Sequence, residues 1–184
     1  MNRIYSLAAS TALLLWSVGP AHGAPKLGDK SPSDEARKMF EDINTTTATI
    51  SDTAFRMGQM ARSADLTREP HSDGLTSIKQ EVNRLGAEIQ ALEGERDSLS
   101  AWEITALDQV EPLMHEVADN TERAIESFIP EMPGPAARAY VDETNRIAKY
   151  ADEVTILLHN RLKLEKTREK ELRLEHGLAE ASGS

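Results

Sequence analysis

The sequence predicts an all-α protein: an antiparallel, up-down-up-down four-helix bundle whose fourth helix extends beyond the bundle. Two observations carry that expectation. Leu75, Ile78, Val82, Leu85, Ile89 and Leu92 recur at alternating spacings of three and four, which is the seam of a helix and not the period of two of a strand. Three other stretches keep the same rhythm in phases of their own, so four helices have seams to shelter against one another. Composition agrees, since the 184 residues include only two Trp, three Tyr and three Phe, few for a β-sandwich. There is no Cys, so packing alone has to hold the fold.

Residues 1–23 read as a secretory signal peptide. Arg3 supplies the positive start, residues 7–18 the apolar run, and Gly19-Pro20 the helix break. Ala21 and Gly23 are the small residues before a cut after Gly23, because a cut after Ala24 would put Pro25 behind the scissile bond. The expected location is therefore periplasmic or secreted. Nothing after the run is long enough for a membrane span, so the mature chain is expected to have none. Cleavage removes one positive charge, Arg3, and takes the net charge from −10 to −11. That balance argues against nucleic acid and anionic membrane surfaces as partners.

Residues 24–30 are a polar tether, and residues 31–176 form the bundle domain. Ser31, Pro32 and Asp34 mark the first helix start. Its seam is Ala36, Phe40, Ile43, Thr47, Ile50, Ala54, Met57, Ala61 and Ala64. The small residues in its second half predict either a close helix approach or a cavity. Residues 66–72, with Glu69-Pro70, read as a turn, and Ser72 or Asp73 as the cap of the second helix. Gly86 and Gly94 lie within that helix. Its last seam beats fall on Arg96 and Leu99. Arg96, close to the helix end, is expected to snorkel out and pair with an acid such as Glu103.

Ser100 and Glu103 have capping-box spacing and start a third helix. Its seam of Leu107, Val110, Met114, Val117, Thr121, Ala124 and Phe128 is out of phase with the second. Pro112 lies inside it, where proline kinks a helix. The competing parse is three long helices, with one running over 73–111 and breaking at Pro112. Residues 130–135 are the clearest loop, and Pro135 suits the first position of a fourth helix. Tyr140, Thr144, Ile147, Ala151, Val154 and Leu158 carry its seam, widened by Val141, Ala148 and Leu162. Beyond Leu162 the seam dissolves into a charged run over 163–175, with Glu169 and Arg173 at an i,i+4 spacing. Residues 177–184 read as a disordered tail. In this topology the start of the first helix overlaps the end of the fourth.

For function the residues exclude more than they assign. No histidine has a Ser or carboxylate partner at triad spacing, and no glycine-rich phosphate loop occurs. The expected class is non-enzymatic, with no cofactor. The bias lies in 103–131, where eight acids face one base, Arg123. Asp108, Glu111, His115, Asp119, Glu122 and Glu126 follow one another at spacings of three and four and share an outward face. A solvated face is the usual meaning of such a row. Oxygens plus an imidazole also suit a divalent cation, so His115, Glu111, Asp119 and Glu122 are the metal candidates. No Glu-x-x-His pair occurs for a di-iron site. Met57 and Met114, imaginable as haem or copper ligands, sit on seams where Met fills space.

The leading expectation is a protein-interaction or structural module with an unknown protein partner, as monomer or homodimer. Its contact residues are expected at Asp108, Glu116, Glu126, Arg168, Glu169 and Arg173. A metal- or cofactor-binding bundle is the second reading, and a holdase-type chaperone the third.

Overall fold

The computed structural model describes residues 34–62, 68–128 and 134–182. The expected signal peptide, tether and Ser31 cap, Ala64, and parts of the expected turn at 66–72 and loop at 130–135 lie outside the described residues. Within them run four helices: α1 (Asp34–Arg62), α2 (Arg68–Gly94), α3 (Ala101–Ser127) and α4 (Gly134–Ser182). Among the described residues there is no strand.

Every described residue of the four seams is buried, apart from the half-buried Arg96 just past α2, Phe128 at the end of α3 and Leu162 at the edge of α4. Phe40, Ile43, Leu85, Leu92, Leu107, Ile147 and Leu158 lose all contact with water. Each helix packs on two neighbours: α1 on α2 and α4, and α3 on α2 and α4. Neighbours run antiparallel. The start of α1 meets the late part of α2 through Asp42 and Arg84, and the end of α3 meets the start of α4 through Arg123 and Glu143. Phe40 and Trp102, with ring centroids 5.6 Å apart, close the core across the end where α1 and α3 begin.

The small residues of α1 produce close approach to α4. A Cβ on Gly58 would lie 3.0 Å from Thr144 Oγ1. Ser51 Oγ donates to the Ala148 carbonyl at 3.0 Å, and the Thr47 and Thr155 hydroxyls are 2.9 Å apart.

Three boundaries differ from expectation. Helix α2 starts at Arg68, ahead of the expected Ser72 or Asp73 cap. The first four N–H groups of any helix have no intrahelical partner, so Pro70 costs nothing there. His71, fully buried, extends the seam one step ahead of Leu75. At the other end Gly94 is the last residue of α2, and a single 3₁₀ turn, Arg96–Ser98, carries the chain to Leu99. Arg96 is therefore off the helix, while Leu99 still reaches the core at 4% exposure. The three-helix parse fails here, because α3 begins afresh at a completed capping box. Pro112 sits inside α3, exposed, with helix on both sides. Finally, α4 continues past Gly177 to Ser182. Its 49 residues make it about 73 Å long against about 40 Å for the 27 residues of α3.

Candidate interaction surface

The outer face of α3 is built by helix geometry. Its seam points Met114 and Val117 inward, so residues about half a turn away face water. Asp108, Glu116, Asp119, Glu122 and Glu126 are exposed there, with Glu111 and His115 half-buried among them. The row is continuous, as its spacing requires. Among the described residues, no group of three or more His, Asp or Glu side chains is arranged to hold a metal ion. Glu111, His115, Asp119 and Glu122 thus share a face without converging on a point. Met57 and Met114 lie in the core at 1% and 3% exposure.

At the head of this face the expected partner of Arg96 is corrected. Arg96 pairs with Asp108 and with Glu93, the latter at 2.7 Å. Asp108 first, with Glu93 behind it, pushes the Arg96 guanidinium above its ordinary value. Glu103 is taken instead by the capping box. Its Oε2 accepts from the Ser100 N–H at 2.7 Å and the Ser100 hydroxyl at 2.6 Å, with Glu103 fully buried. Two local donors at fixed short range outcompete a mobile guanidinium.

The second biased surface is the part of α4 beyond Leu162. Lys163, Lys166, Lys170 and Arg173 recur at spacings of three, four and three, and all are exposed, as is Arg168. Only Glu171 and Glu175 are exposed acids over 163–175. Leu164 and Leu174, each 58% exposed, lie among the charges. The expected Glu169–Arg173 pair does not form. Glu169 accepts from Arg37 Nη1 at 2.5 Å instead, because the first turn of α1 overlaps this stretch. Among the described residues, none of Lys163, Lys166, Arg168, Lys170 and Arg173 has an acidic partner. On α3 the same holds for Glu116, Asp119, Glu122 and Glu126, which no described basic side chain reaches.

Three features escaped the residue pattern. Arg84 ties α2 to α1, donating to Asp42, to Glu88 at 2.6 Å, to Glu81 at 3.0 Å and to Thr46 at 2.6 Å. The Arg84 hydrogen bond holds the Asp42 carboxyl below its usual range. Burial, then the nearby Asp42 charge, pushes Glu88 up. The i,i+4 spacing of Arg84 and Glu88 was visible, whereas Asp42 on another helix was not. At the opposite end of the bundle from Trp102, His71 Nδ1 lies 2.9 Å from the Tyr140 hydroxyl. Phe128 stacks on His71 with centroids 5.8 Å apart, and burial raises the Tyr140 phenol. The third is an open groove of about 520 Å³ between α1 and α4, beside the half-exposed Phe55 and lined by Ser51, Asp52, Asn145 and Asp152.

No described helix is long and apolar enough to cross a membrane. No family model matches the chain, and no curated protein or solved structure does either.

Proposed function

We propose that this chain is an exported, non-enzymatic helical-bundle protein that acts by binding another protein. Its contact surfaces are the acidic outer face of α3 and the stretch of α4 beyond Leu162. One observation carries the reading: residues 163–182 run about 30 Å past the end of the core seam as a helix, anchored to the bundle among the described residues by the Arg37–Glu169 pair. A helix of this length is marginal in water by itself. Among the described residues its exposed basic side chains have no acidic partner, and Leu164, Leu172 and Leu174 are open, the combination that a partner surface completes. Export is supported by the amino-terminal pattern of Arg3, an apolar run and Gly19-Pro20.

Two measurements test the two halves of the proposal. Mass spectrometry of the native protein should find an amino terminus at Ala24, and a chain retaining Met1 overturns export. Affinity capture from its own compartment should recover a protein that binds the native chain directly. That binding should be lost when Lys163, Lys166, Lys170 and Arg173 are all changed to Glu. Equal capture by both chains overturns the assignment of the surface.

A further inference from the structure

We infer that the partner of the α4 extension is a second copy of this chain, its basic outer row docking on the acidic outer face of α3 in a reciprocal dimer. The inference rests on the proposed interaction role and names the partner.

The two surfaces complement each other in charge, pitch and length. The extension presents Lys163, Lys166, Lys170 and Arg173, and α3 presents Glu116, Asp119, Glu122 and Glu126. Both rows repeat every three or four residues, so two helices lying side by side bring them into register turn after turn. The basic row spans about 15 Å, within the roughly 27 Å from Asp108 to Glu126. Apolar contact is available on both sides. Leu164 and Leu174 are 58% exposed on the extension, and Ile125 is 37% exposed beside the acidic row.

The pairing cannot form within one molecule. The extension continues α4 past the end of the bundle where α3 begins, and a continuous helix does not fold back. Between two copies it satisfies itself twice. With the two bundles side by side and overlapping by about 20 Å from those ends, the extension of each copy runs parallel to α3 of the other with Lys163 level with Glu116, and the same patch serves both under a twofold axis. The net charge of −10 on each chain repels at long range, but physiological salt screens beyond about 8 Å. The local contact is between opposite signs.

The test is sedimentation equilibrium of the purified protein and two variants. One carries Lys163→Glu, Lys166→Glu, Lys170→Glu and Arg173→Glu. The other carries Glu116→Lys, Asp119→Lys, Glu122→Lys and Glu126→Lys. All eight positions are exposed, and helical circular dichroism and melting confirm that both variants fold. The native chain should dimerise, with Kd weakened at least about tenfold between about 50 and 500 mM NaCl. Each variant alone should be monomeric. Mixed, they should form a heterodimer, because both reciprocal contacts then join opposite charges again. A monomeric native chain, a dimer that persists in either variant, or a mixture that stays monomeric overturns the inference. A native monomer that still captures a different protein through 163–182 would leave the broader interaction role standing.

Discussion

Ending the chain after Leu162 should leave the bundle folded and, at a concentration where both chains are monomeric, nearly as stable as before. The core of α4 closes at Leu158, which is fully buried, and Leu162 packs half-buried against it. Beyond that point Leu164, Leu172 and Leu174 are 58%, 48% and 58% exposed, so their removal gives up little apolar burial. The loss is the Arg37–Glu169 pair, whose side chains keep 23% and 35% exposure. Part-exposed pairs contribute up to about 1 kcal/mol. In a domain of this size that moves Tm by about 2–4 °C. Thermal melts followed by far-ultraviolet circular dichroism should therefore place the shortened chain within about 4 °C of the full one. The helical signal should fall by the share of helix removed. A drop beyond about 10 °C, or helix lost from residues 34–162, would mean that the extension holds the bundle together, and the separation of stability from surface would be refuted.

Other outcomes follow from the core and its ion pairs. Tyr140→Phe deprives His71 Nδ1 of its 2.9 Å partner and should cost about 1–2 kcal/mol in urea unfolding; no measurable change would mean the contact is dispensable. Leu85→Ala, at a position with no exposure, should cost about 2–5 kcal/mol by the same assay, and a cost under about 1 kcal/mol would indicate that the site collapses. Glu88→Gln should raise Tm at neutral pH. Burial disfavours the Glu88 carboxylate, so its folded value is raised, and the linked stability is present below the unfolded value and lost as pH rises through the folded one. Asp42, held low by Arg84, acts with the opposite sign, contributing above its unfolded value and losing that as pH falls through the folded one. The gain from Glu88→Gln should therefore vanish in acid, and a gain that is constant with pH contradicts the linkage. Gly94→Ala should stabilise by about 0.4–1 kcal/mol, since no atom lies within 4 Å of the added Cβ; a lower Tm would reveal a turn that needs glycine.

The seams were legible because burial in a bundle follows helix period. Leu75, Ile78, Val82 and Leu85 announce their shared face within three turns. What stayed hidden involves either a competition or a second helix. Glu103 was open to Arg96 and to the Ser100 cap, and the cap has the shorter reach. Glu169 was within reach of Arg173 on its own helix, yet it bonds Arg37, because only the assembled bundle brings the start of α1 alongside α4. His71 looked like part of a turn because Pro70 and Ser72 flank it, and the first turn of a helix tolerates the residues a turn prefers. Of the candidate surface, the acidic row was readable from spacing alone. The basic row was less so, because Glu165 and Glu169 interrupt the run in sequence and only the half-buried inner side of the helix separates them from it.

That separation of charge is itself an energetic statement. Glu122 and Glu126 stand four apart, as do Lys166 and Lys170, and like charges at that spacing each cost a helix about 0.2–0.5 kcal/mol. Interspersing the signs would turn the same positions into favourable pairs, as Asp52 and Arg56 are on α1 at 3.0 Å. The chain uses such pairs elsewhere, including Arg84 with Glu88 and Arg96 with Glu93. Segregation into one acidic and one basic row thus lowers the stability of the isolated molecule, and nothing within the described bundle compensates. In the proposed dimer, compensation across the interface would be the physical reason to keep the two rows apart, and it would act only while both rows are matched, which the mixed charge-reversed variants measure.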